Sequence, residues 1–143
     1  MMSGADVRSQ EQAATHPVIA VVDDDALFLQ SVGRVLRLSG YRAALFSSGQ
    51  EFLTALPSVS PKCVVLDVHM PAMGGLELQD RLRAEGSHVP IIFVTAYDTA
   101  QTRERAGQPD SYGVLLKPFR LEELLSAIRA ALASQAERSG GRD

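Results

Sequence analysis

Tryptophan is absent and cysteine occurs once, as Cys63. A lone thiol cannot form an internal disulfide, so nothing points to an oxidising compartment. Basic residues do not predominate: 14 Lys and Arg face 17 Asp and Glu, for a net charge of −3. The basic footprint of a nucleic-acid-binding domain is therefore missing. No apolar run approaches the ~20 residues of a membrane span. The polar N-terminus also lacks the apolar core of a signal peptide. His16, His69 and His88 are scattered, which leaves no histidine-based metal site in view. These absences lead us to expect a cytoplasmic protein without a nucleic-acid or membrane partner. Its 143 residues suffice for one domain with a full core.

Residues 1–16 show no apolar periodicity and are expected to form a flexible leader, and residues 137–143 a flexible tail. Between them, over 17–136, two patterns alternate. Val18-Ile19-Ala20-Val21-Val22, Cys63-Val64-Val65-Leu66 and Ile91-Ile92-Phe93-Val94 are continuous and largely β-branched, as in strands buried on both faces. Val114-Leu115-Leu116 is a shorter version. Arg42-Ala43-Ala44-Leu45-Phe46 is more polar and suits a sheet edge. Helical stripes separate the strands. Phe28, Val32, Val35 and Leu36 share one face, and Gly40 stops that helix. Ser48 and Glu51 have capping-box spacing ahead of Phe52, Leu53 and Leu56. Pro57 and Pro61 are expected to bracket the next loop. Leu78 and Leu82 mark a third helix. Leu121, Leu124, Leu125, Ile128 and Leu132 mark the last. Residues 98–113 are charged and interrupted by Gly107 and Pro109, which predicts a short or irregular fourth helix. Five strands alternating with five helices predict a doubly wound α/β sandwich with a parallel sheet.

Each buried strand runs into polar residues: Asp23-Asp24-Asp25, Asp67, Thr95 and Lys117. In an open parallel sheet the C-terminal strand ends line one crevice. Singly, each residue has an ordinary explanation: a helix cap, a turn, a strand-end hydroxyl, a solvated charge. Together, at matching strand ends, they point to a site. Asp23, Asp24 and Asp67 would repel one another and need a cation. Oxygen ligands favour a hard ion, and Mg²⁺ suits a shallow site. Asp67 could then act as an oxygen nucleophile on phosphorus. Lys117 would offset charge on the phosphoryl oxygens, and Thr95 could donate a hydrogen bond to one.

The segments Val-Val-Asp-Asp-Asp, Val-Val-Leu-Asp-Val-His-Met-Pro-Ala-Met-Gly-Gly-Leu, Ile-Phe-Val-Thr-Ala and Leu-Leu-Lys-Pro-Phe resemble the signatures of the response-regulator receiver domain of two-component signalling. The resemblance spans nearly the whole chain. It implies a flavodoxin-like (βα)₅ fold with strand order 2-1-3-4-5. It implies a phosphoacceptor, Asp67, served by a histidine kinase or histidine phosphotransfer protein. Asp24, Asp67 and the backbone carbonyl of His69 would ligate Mg²⁺ directly, and Asp23 largely through water. It also implies a cis Lys117-Pro118 bond, and that His69 and Tyr97 tune loss of the phosphoryl group by shielding it from water.

Two features depart from the family. Val114 stands where receivers place a switch aromatic, three residues before the site lysine. Tyr112 lies an even offset away and on a regular strand would share its face. The usual apolar fourth helix is replaced by the charged 98–113 segment, so an atypical switch is expected there, rearranged or partly disordered. The leading reading is a stand-alone phosphoacceptor that works through protein contacts with a downstream target. Nothing after residue 135 is expected to form a DNA-binding domain. A second reading is a degenerate receiver that binds partners without phosphorylation. A phosphatase with an Asp nucleophile ranks lower, because the residue two after Asp67 is His69 and not an acid. A flavin module shares the fold class, but the acidic first loop would repel a flavin phosphate.

Overall fold

The computed structural model describes residues 16–140. The rest of the expected leader and residues 141–143 lie outside the described residues. Five strands, β1 (Val18–Val22), β2 (Arg42–Phe46), β3 (Cys63–Asp67), β4 (Ile91–Thr95) and β5 (Ser111–Leu116), form one parallel sheet in the order 2-1-3-4-5. Five helices alternate with them: α1 (Ala26–Leu38), α2 (Gly49–Val59), α3 (Gly75–Ala84), α4 (Ala100–Ala106) and α5 (Leu121–Gly140). Strand β2, which opens on a charged residue and is the least buried of the first four, takes the edge as expected.

The sheet buries both faces. On one, Ile19, Val21, Val65 and Ile92 meet Leu29, Val32 and Leu36 of α1 and Leu124 and Ile128 of α5. On the other, Ala20, Val22, Leu66 and Phe93 meet Phe52 of α2 and Leu78 and Leu82 of α3. A fully buried side chain such as Leu36 or Phe93 contributes about 1.5–3 kcal/mol over its exposed state. Because adjacent residues serve opposite faces, these strands are apolar throughout.

Helix ends follow local chemistry. Asp25 caps α1 by accepting from the N–H groups of Leu27 and Phe28 at 3.0 and 3.2 Å. Gly40, at φ +93°, closes it, with Gly40 N–H donating to Arg37 O and Tyr41 N–H to Leu36 O. Ser48 Oγ accepts from Glu51 N–H at 3.1 Å. The Glu51 carboxylate reaches past Ser48 to the Ser47 N–H and hydroxyl, at 3.0 Å each. Two boundaries differ from the sequence reading. Pro57 sits inside α2, which continues to Val59; its ring holds a helical φ, and the donor it lacks and the crowding of its ring fall in the last turn, where the helix has least to lose. The last helix runs to Gly140, past residue 137, where the tail was expected to begin.

The fourth helix is short, as expected, at seven residues. Thr102 is its only buried residue. Polar bonds tie its segment to α3: Arg105 donates to Gln79 Oε1 at 3.0 Å and Asp80 Oδ1 at 2.7 Å, and Arg83 donates to Gln108 Oε1 at 2.6 Å. Gln79 is fully buried, and its Nε2 finds no partner among the described residues.

Strand β5 corrects a further expectation. Its register against β4 shifts between Ile91, opposite Ser111, and Phe93, opposite Val114. One extra residue is accommodated beside Gly113, at φ +119°, a bulge geometry that favours glycine. The extra residue inverts the alternation. Tyr112 lies within the strand but packs on the α1–α5 face, its hydroxyl donating to Ser134 Oγ at 2.5 Å. Val114 packs on the opposite face with α2 and α3. Tyr112 therefore does not stand in for the missing switch aromatic.

Candidate functional site at the C-terminal strand ends

The parallel topology delivers the expected groups to one end of the sheet. Asp23 follows β1, and its N–H donates to Phe46 O at 3.0 Å, extending the ladder. Asp67 is the last residue of β3 and Thr95 the last of β4. Lys117 follows β5, its N–H donating to Thr95 O at 2.8 Å.

The acidic triplet divides its labour. Asp25 is the helix cap. Asp24 is exposed. Asp23 is 1% exposed, and accepts from the Asp25 N–H at 2.9 Å and the Lys117 ammonium at 2.8 Å. The carboxylates of Asp23, Asp24 and Asp67 offer oxygens that all lie within 4.8 Å of one another. An all-oxygen donor set with three negative charges fits a small, hard cation. Burial and crowding together show in the Asp67 carboxyl, whose pKa is pushed up to about 6. Burial is the main cause and the Asp23 charge the next, opposed by Lys117 and by the His69 N–H, which donates to Asp67 Oδ1 at 3.3 Å.

Thr95 is fully buried. Its hydroxyl is turned into the following loop, accepting from Tyr97 N–H and donating to Tyr97 O, both at 3.1 Å. His69 and Tyr97 meet edge to face, with ring centroids 5.3 Å apart. Lys117-Pro118 is cis, as the sequence resemblance implied.

Close backbone approach sets the position of Asp67. Gly75 N–H donates to Val68 O at 2.9 Å, which pins the start of α3 under the end of β3. A Cβ at Gly75 would lie 2.5 Å from Asp67 O, and one at Gly74 would lie 2.8 Å from Val68 O. Sequence reading missed one side chain here. Phe28, assigned only to the α1 apolar stripe, stands beside Lys117. Its place in the first turn after the acidic triplet was the available signal.

Comparison with known proteins agrees with this geometry. Residues 19–129 match the response regulator receiver domain family. Response regulator protein TmoT of Ectopseudomonas mendocina is 38% identical over 115 residues, which is 80% of this chain and 52% of that protein. Transcriptional regulatory protein TdiR of Thauera aromatica is 40% identical over 119 residues, 83% of this chain and 52% of that protein. The chain thus spans about half the length of the curated relatives it matches. The crystal structure of a response regulator receiver protein from Burkholderia phymatum superposes with a TM-score of 0.71 at 42% identity, covering 82% of this chain and 95% of that one. With its order 2-1-3-4-5 sheet and its acidic crevice, this chain belongs to the response regulator receiver domain family.

Proposed function

We propose that Asp67 is the phosphoacceptor and that a histidine kinase or histidine phosphotransfer protein supplies the phosphoryl group. The observation that carries this reading is the crowding of Asp67 with Asp23 and Asp24, beside the Lys117 ammonium. An Asp67 carboxylate oxygen attacks phosphorus, the bond from phosphorus to the donor's imidazole nitrogen breaks, and that nitrogen keeps the electron pair. Asp23, Asp24, Asp67 and the His69 carbonyl would hold Mg²⁺, which when bound supplies positive charge to the equatorial phosphoryl oxygens. Lys117 leaves Asp23 for one of those oxygens, and Thr95 turns from Tyr97 to donate to another. The module carries a signal and does not turn over an external substrate.

A downstream protein target is the receiver of that signal. A net charge of −3 gives the domain no electrostatic footprint for nucleic acid. Among the described residues no helix is long and apolar enough to cross a membrane, and a cytoplasmic location suits the proposed donors. Val114 and the inward-turned Tyr112 favour one competing reading, a degenerate receiver that binds partners without phosphorylation.

Intact mass after incubation with an acyl phosphate, with and without Mg²⁺, separates the two. Wild type is expected to gain one phosphoryl group only with Mg²⁺, and Asp67→Asn none. A folded, Mg²⁺-binding wild type that gains nothing from either the acyl phosphate or a phosphorylated kinase would favour the degenerate reading. The paired His69 and Tyr97 rings should shield the acyl phosphate at Asp67 from water. His69→Ala is therefore expected to shorten its lifetime several-fold, read as release of inorganic phosphate. An unchanged lifetime would make the His69 ring a bystander.

A further inference from the structure

We propose that Phe28 is a positioning residue for Lys117, holding its ammonium at the acidic crevice with the face of the ring. Lys117 Nζ lies 4.2 Å from the Phe28 centroid, well inside the range over which an aromatic face attracts a cation. The Lys117 side chain is only 25% exposed, so water weakens this attraction less than on an open surface.

The ring is itself held in place. Phe28 sits in the first turn of α1, where Asp25 fixes its N–H. Phe119 meets it edge-on, with centroids 6.1 Å apart and planes at 84°. The ammonium therefore has two anchors of different character. Asp23 is a charged acceptor that Lys117 must leave to reach an incoming phosphoryl oxygen. Phe28 attracts the ammonium without adding a negative charge to a crevice that already holds three carboxylates. A neutral anchor of this kind can keep hold of the side chain while Asp23 lets go.

The effect on phosphorylation rests on the phosphoacceptor reading; the contact itself does not. Lys62 and Lys117 are the only lysines in the chain, so selective lysine labelling gives two resolvable sets of NMR signals. In the wild type the Lys117 ε-methylene protons are expected to shift upfield of those of Lys62, through the ring current of Phe28. Phe28→Tyr should preserve the shift and Phe28→Leu should abolish it. With saturating Mg²⁺ and an acyl phosphate donor, Phe28→Leu should be phosphorylated about three- to five-fold more slowly, the scale of a partly desolvated cation–π contact. Phe28→Tyr should keep close to the wild-type rate, and all three proteins should bind Mg²⁺ alike. A merely structural ring would not separate Tyr from Leu in both readouts. An unshifted Lys117 in the wild type, or a wild-type rate in Phe28→Leu, would overturn the proposal. Should the wild type take up no phosphoryl group from any donor, the phosphoacceptor reading falls, and the lysine shifts alone uphold or overturn the contact.

Discussion

Acidifying the metal-free protein from about pH 7.5 to about pH 5 is expected to stabilise it, the reverse of ordinary acid denaturation. The cause is Asp67, whose carboxyl is raised from 3.8 to about 6 in the fold. A carboxyl with a raised folded pKa binds its proton more tightly in the native state than in the unfolded chain. Below its unfolded value neither state carries the charge, and no cost arises. As pH climbs through the folded value, the native state must hold a buried anion beside Asp23, and stability falls. The shift sets an upper bound of about 3 kcal/mol on that loss. Asp80 and Asp98 have lowered values, from their bonds to Arg105 and Arg103. Their stability is lost only at more acid pH, below this window. Urea denaturation of wild type and Asp67→Asn tests the point by difference. At about pH 7.5 without metal, Asp67→Asn should be more stable by roughly 1–3 kcal/mol, and the gap should be about halved near pH 5 and close only near pH 4, the unfolded value. Adding Mg²⁺ should stabilise wild type well beyond Asp67→Asn. A mutant no more stable than wild type at neutral pH would show that Asp67 carries no buried-charge cost.

Gly75→Ala should be the most damaging small substitution near the site. Its Cβ would stand 2.5 Å from Asp67 O and 3.0 Å from Val68 Cα. Both obstacles are backbone, so no side chain can swing away. Either α3 lifts from β3 or the end of β3 bends, and overpacking of this kind costs about 1–3 kcal/mol or more. Because the strained atoms include the carbonyl of Asp67, phosphoryl uptake should fall with stability. Gly86→Ala is a useful contrast. Its Cβ would meet nothing within 4 Å, although φ is +80°, so it should lose stability through backbone strain while sparing the site. Thermal melts and the mass assay on both variants check this. A Gly75→Ala protein with a wild-type melting temperature would mean that α3 docks more loosely than the structure shows.

The strand ends were legible in the sequence because parallel strands buried on both faces are apolar throughout, so Asp67, Thr95 and Lys117 stand out where they stop. Strand order was less a matter of pattern than of resemblance, and the sheet agrees with it. The Asp triplet was readable as a group. Its division into a cap, an exposed acid and a buried lysine partner was not, since that depends on Lys117 arriving from the far end of the chain. Tyr112 shows where period-two reasoning stops. Alternation along β5 holds only in an unbroken ladder, and the shift against β4 is a property of the pair of strands. Pro57 and the end of α5 were misplaced for a simpler reason: breaker residues and polar composition weaken a helix without forbidding its last turns. Phe28 was hidden by its own hydrophobicity, because one residue can complete an apolar stripe and still offer its ring face to a neighbouring cation.

The four groups of the crevice come from four different strands, with the outer pair, Asp23 and Lys117, 94 residues apart in sequence. No fragment that omits β1 or β5 can contain the whole constellation. A partly folded chain with β1 or β5 undocked would lack part of the constellation however much secondary structure it kept. On the phosphoacceptor reading, phosphoryl uptake would therefore also count assembled molecules, and titrating it against denaturant would measure folding by a covalent mark.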